Sequence, residues 1–117
     1  MIKELLIVGS GAFVGGVIRY LCMLFVPNYL FFVNTIGSFL IGILYFKLYK
    51  TFPNQHLLIN VGFLGALTTF SSFSLAVLQQ LNDGLVVKAI FYIILKVIAG
   101  LLFCFLGYKL ASILNFA

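Results

Sequence analysis

The chain has 117 residues, 64% of them hydrophobic and 8% charged, with a mean hydropathy of +1.26 and a formal net charge of +5. A water-soluble domain is about half apolar and about a quarter charged, so this balance excludes an ordinary soluble fold and leaves an integral membrane protein with one domain, residues 1–117. The basic excess does not point to nucleic acid, because Lys and Arg stand at the edges of apolar runs, where topology signals and anionic-lipid contacts belong.

A membrane-crossing helix needs about 20 mostly apolar residues, and the chain supplies four such runs. The first predicted span covers about Leu5–Val26 and stops at Pro27-Asn28. Lys3 followed by an apolar run has the outline of a signal peptide. Arg19 interrupts that run and no small-residue cleavage site follows, so the segment is expected to stay as a span. Gly11 with Gly15, and Ala12 with Gly16, stand at the small-xxx-small spacing that lets membrane helices approach closely. Arg19 either draws anions into a vestibule or anchors the helix at the interface.

The second predicted span, about Leu30–Tyr49, carries Asn34 early and Gly37, Ser38 and Gly42 after it. A buried asparagine brings two N–H donors, for a facing helix or for a permeating anion. The third, about Leu57–Gln80, holds the most distinctive run of the chain: Gly62-Phe63-Leu64-Gly65-Ala66-Leu67-Thr68-Thr69-Phe70-Ser71-Ser72-Phe73-Ser74. The fourth, about Val86–Leu110, carries Tyr92, Lys96 and Gly100 at one-turn intervals. Lys96 is either a functional cation at membrane depth or a lysine snorkelling to the outer interface. The connections are short, so consecutive helices are expected to be antiparallel neighbours with both termini on one side. That side then carries Lys3, Lys47, Lys50 and Lys109, against Lys88 and Arg19 opposite, which favours cytoplasmic termini in the cell membrane. Cys22 and Cys104 fall in apolar stretches and read as small hydrophobes. His56, the single histidine, falls in a predicted loop.

An unpaired buried hydroxyl costs roughly 1–3 kcal/mol, and the distinctive run holds Thr68, Thr69, Ser71, Ser72 and Ser74. Phe70 and Phe73, three apart, share a helix face. Ring edges are positive, and together with hydroxyl donors they suit a small anion that must not bind too tightly to leave. Gly62, Gly65 and the threonines weaken the helix. Two outcomes stand open: a break that frees carbonyls for a cation, or a kink with hydroxyls bonded to the preceding turn. Four short helices enclose no wide water-filled path, so a pore needs an interface between subunits. The only carboxylate side chains, Glu4 and Asp83, lie near span ends. No catalytic set exists, which argues against an enzyme, and a proton-coupled small multidrug-type transporter would need a carboxylate inside the membrane.

Three stretches resemble the signatures of the Fluc/CrcB fluoride channels: Gly15-Gly16-Val17-Ile18-Arg19-Tyr20, Val33-Asn34-Thr35-Ile36-Gly37-Ser38-Phe39-Leu40-Ile41-Gly42, and the glycine–threonine–phenylalanine run of 62–74. They occur in the family's order on three of four spans. The resemblance implies an all-α membrane protein with four transmembrane helices per subunit, a break in the third, and an antiparallel dual-topology dimer with two pores at its interface. It implies passive export of cytoplasmic fluoride and protection against fluoride toxicity. Phe70 and Phe73 would be the pore phenylalanines and Asn34 the pore asparagine. Thr69, Ser71, Ser72 and Tyr92 would line the path, and Arg19 would stand near the vestibule. The backbone carbonyls of Gly65 and Thr68 would hold a structural sodium ion.

The fourth span departs from the family, with Lys96 and Gly100 where hydroxyls often stand. With the charge bias, this admits a heterodimer with an oppositely oriented paralogue beside the homodimer. A partner subunit whose own pore residues do not conduct is the alternative function. The expected partners are fluoride, membrane lipid and a second subunit, with no nucleic acid.

Overall fold

The computed structural model describes residues 1–114 and is entirely helical among them. Helix α1 spans Ile2–Phe25 and α2 spans Tyr29–Leu48. Helix α3 covers 53–67 in three pieces: Pro53–Gln55, a π-helical stretch His56–Leu64, and Gly65–Leu67. Helix α4 is Phe70–Asn82 and α5 is Val86–Leu114. Four candidate spans result, with α3 and α4 together forming the third. The longest molecular dimension, 50 Å, exceeds the roughly 30 Å hydrocarbon core of a bilayer.

Local chemistry sets the ends of these helices. Asn28 turns the chain between α1 and α2 with a left-handed φ of 55°, a conformation that a short polar side chain tolerates. Pro53 opens α3 at the first helical position, where its missing N–H costs nothing. Gly84, at φ 77°, ends α4, with the Gly84 N–H donating to the Leu81 carbonyl and the Leu85 N–H to the Gln80 carbonyl.

The helices pack as alternating pairs: α1 lies on α3, and α2 lies on α5. The contacts between α1 and α2 are few, so sequence neighbours are not the main packing partners expected from the short loops. The glycines explain this. A Cβ on Gly11 would stand 2.1 Å from the Leu58 carbonyl oxygen, and one on Gly15 would stand 2.2 Å from that of Phe63. A Cβ on Gly42 would meet the Cys104 carbonyl oxygen at 2.1 Å, and one on Gly107 that of Phe39 at 2.1 Å. Only glycine lets backbones touch like this. Leu58 and Phe63 rise with Gly11 and Gly15, and the ring contacts Phe39–Phe103 and Phe46–Tyr108 rise together on α2 and α5, so each pair runs parallel.

The π-helical stretch lies at the α1 crossing, and the Gly65 N–H donates to the Asn60 carbonyl five residues back. His56 opens this stretch and is helical rather than in a loop, because Pro53 starts the helix three residues earlier. His56 Nδ1 lies 3.1 Å from Asn60 Nδ2. The buried core is small, centred on Val33, Leu64 and Leu67. Most large apolar side chains face outward, as in a chain whose solvent is lipid.

Candidate functional site at a broken helix

The third span breaks at two residues. Helix α3 ends at Leu67, Thr68 is extended at φ −85° and ψ 151°, and Thr69 is extended at φ −150° and ψ 128°. The glycines at 62 and 65 remain helical, so the break falls on the threonines. β-Branched residues give up little helix propensity by turning extended, and each threonine finds another use for its hydroxyl. Thr68 Oγ1 donates to the Leu64 carbonyl at 2.9 Å. Thr69 caps α4: its Oγ1 accepts from the Ser72 N–H at 3.3 Å.

Two clamps from other helices hold the break. Asn34, on α2, grips the Thr69 backbone on either side of its Cα: its Nδ2 donates to the Thr69 carbonyl at 3.1 Å, and its Oδ1 accepts from the Thr69 N–H at 2.8 Å. Arg19, on α1, crosses to α3, where its Nε donates to the Ala66 carbonyl at 3.1 Å. Arg19 is thus tied to the end of α3 rather than extended toward an interface.

These bonds redirect the backbone donors around the break. In a continuous α-helix each N–H serves the carbonyl four residues back. The Thr69 N–H would serve Gly65, but it goes to Asn34 Oδ1. The Ser72 N–H would serve Thr68, but it goes to Thr69 Oγ1. The carbonyls of Gly65 and Thr68 are therefore the ones relieved of their helical donors by side chains. Ala66, the carbonyl between Gly65 and Leu67, is covered by Arg19. Among the described residues no group of three His, Cys, Asp or Glu side chains comes together to hold a metal. A cation here would need main-chain oxygen, which the break supplies.

Beside the break lies a cleft of about 600 Å³ between α2, the α3–α4 junction and α5. It brings together Asn34, Gly65, Thr68, Thr69, Phe70, Phe73 and Tyr92. The Phe70 and Phe73 ring centroids are 5.6 Å apart and tilted by 41°. Phe73 stacks on Tyr92 at 5.5 Å with an interplanar angle of 14°. Phe70 is 77% exposed in the single subunit. Ser71 and Ser72 do not line the cleft. Their hydroxyls gather on Thr69 Oγ1 at 3.1 and 3.5 Å. Ser74 Oγ bonds back to the Phe70 carbonyl at 3.0 Å. The two outcomes left open for the hydroxyls are both realised: Thr68 and Ser74 bond to the preceding turn, and the helix breaks as well.

The cleft also contains groups the sequence did not assign to a path. Phe31, Thr35 and Ser38 come from α2, and Cys104 lies deep on α5. Phe31 carried no signal, being one aromatic among many in an apolar span. Gly100 opens the wall opposite Ser38, whose Oγ would lie 3.8 Å from a Cβ placed there.

Comparison with known proteins matches residues 6–108 to the family model described as CrcB-like protein, Camphor Resistance (CrcB). A protein of Methanocaldococcus jannaschii, named fluoride-specific ion channel FluC, is 40% identical over 95% of this chain and 96% of its own length. Proteins of the same name from Hydrogenobaculum sp. and Shewanella frigidimarina are 41% and 40% identical, over 92% of this chain and 95% and 94% of their lengths.

Proposed function

The chain belongs to the CrcB-like protein family, and on that premise we propose that it is a fluoride-selective channel carrying fluoride passively out of the cell. The observation that carries this is the cleft at the break. Two phenylalanine rings and a tyrosine meet hydroxyl and amide groups there, and no carboxylate lines it. Positive ring edges and hydroxyl donors replace part of the water around a small anion without the grip of a full charge. An inside-negative potential favours anion exit by about 2.3 kcal/mol per 100 mV, so no coupling ion is needed. The chain is a multi-pass membrane protein, with four helices long and apolar enough to cross.

The assembly proposed is a dimer of oppositely inserted subunits, a homodimer or a heterodimer with a paralogue. Phe70, so exposed in one subunit, then lines a path completed by the other. A sodium ion fits the carbonyls of Gly65 and Thr68, because both have lost their helical donors to Asn34 and Thr69. Bound there, it would supply a fixed positive charge that ties the break to the dimer axis.

Fluoride efflux from liposomes, read with a fluoride electrode, tests the function. The wild-type chain is expected to release trapped fluoride, and Phe70→Ile is expected to abolish release while leaving the protein folded on size-exclusion chromatography. Efflux unchanged by Phe70→Ile removes Phe70 from the path. Efflux that appears only when a paralogue is co-reconstituted selects the heterodimer.

A further inference from the structure

Lys96 stands in the wall of the cleft, ten residues past Val86 and about 15 Å along α5, well inside the membrane span. Its side chain does not run outward to the interface. Nζ sits 3.9 Å from the centroid of the Phe31 ring and 5.0 Å from that of Tyr92. The two ring faces hold the ammonium by cation–π attraction and fix where its charge lies. The Tyr92 ring that receives the ammonium is the same one stacked on Phe73.

Among the described residues the ammonium has no anionic partner. The cleft lining contains no carboxylate. Glu4 pairs with the terminal ammonium of Met1 at 2.7 Å, and Asp83 lies at the far end of α4. A cation placed in a low-dielectric site without a counter-ion attracts the anion that enters it. Phe31 and Tyr92 offer only ring faces, and those do not neutralise the charge.

We infer that Lys96 is an anion-holding residue of this chain: its ammonium, braced on Phe31 and Tyr92, binds a halide-sized anion beside Phe73 and sets how tightly this cleft retains fluoride. The inference rests on the channel function proposed above for its substrate, but its first readout is binding, which is separate from flux. A neutral ring-and-hydroxyl lining passes an anion readily, and a full charge at its edge adds a resting place along the way. Lys96 thereby adds one strong, fixed charge to an otherwise uncharged lining that carries rings, hydroxyls and one amide. Gly100, one turn on, leaves the volume beside Ser38 open for the anion and its remaining water.

The test is a fluoride titration of the purified chain in detergent, followed by fluorine NMR, run beside liposome efflux for wild type, Lys96→Met and Lys96→Arg. Lys96→Met is expected to weaken fluoride binding by about tenfold or more, because the one full charge in the cleft is gone. Lys96→Arg keeps a cation that stacks on aromatic rings and is expected to bind within about threefold of wild type. Should Lys96→Met not fold, Lys96→Gln carries the same expectation. A loss in Lys96→Met smaller than about threefold, or no fluoride binding by the wild type, overturns the inference. Binding that depends on Lys96 with no efflux, either alone or with a co-reconstituted paralogue, upholds it and removes the channel function. Efflux with binding indifferent to Lys96 does the reverse.

Discussion

At the scale of single residues, Asn34 and Arg19 do work the sequence left open. The sequence left Asn34 as a donor either for a facing helix or for a permeating anion; both ends of its amide serve the Thr69 backbone, leaving one N–H for the cleft. Asn34→Ala strips both bonds and leaves the part-buried Thr69 N–H unpaired, at a cost of about 1–3 kcal/mol, so thermal stability in detergent is expected to fall. Asn34→Asp keeps the acceptor for the Thr69 N–H but loses the donor and places a carboxylate in the cleft. It is expected to lose less stability than Asn34→Ala while losing fluoride efflux. Equal stability losses in the two variants would mean that the Thr69 N–H bond contributes nothing. Arg19→Lys exchanges a planar guanidinium for a mobile ammonium that lacks Nε, so the bond to the Ala66 carbonyl is lost and the end of α3 loosens. Limited proteolysis near 66–70 is expected to speed up in that variant.

At the scale of elements, stability rests on two crossings where backbones touch. Gly42→Ala would press a Cβ against the Cys104 carbonyl oxygen and the Tyr108 nitrogen, at 2.1 and 2.9 Å, and force α2 and α5 apart. Such overpacking costs about 1–3 kcal/mol, and the midpoint of thermal unfolding is expected to drop. Gly16→Ala, at a glycine with nothing within 4 Å, is the matched control and is expected to change the midpoint little. The two glycines looked alike in the sequence, because spacing does not say which face of a helix meets a neighbour. The four spans were legible from hydropathy; the hydroxyls and glycines of the third left a break and a kink both open, and only the family resemblance chose the break. The place of the break was not legible, since Gly62 and Gly65 stay helical and the threonines yield instead. Nor was the π-helical stretch legible. His56–Leu64 reads as any apolar helix, and its wider turn goes with contact to α1, which the local sequence does not encode. The shared face of Phe70 and Phe73 followed from their spacing and Tyr92 was expected beside them from the resemblance, but the contact of Lys96 with Tyr92 and Phe31 came only through the packing of α5.

At the scale of the molecule, the proposed dimer would cover a helix that one subunit leaves bare. Helix α4 has no buried residue, and it touches mainly α5. Phe70, Leu75 and Leu78 on it are all exposed. Crosslinking in native membranes is expected to give a band of two subunits, and a band of one subunit at every crosslinker concentration would remove the interfacial pore. The proposed cation site has a consequence for anyone who scans the chain by substitution. Main-chain oxygens belong to every residue type, so exchanging the side chain at Gly65 or Thr68 leaves those oxygens in the polymer. The site would instead vanish through changes at Asn34 or Thr69, which hand the diverted N–H groups back to the helix. In a mutational map, then, the signal of the ion should fall on positions that need never touch it.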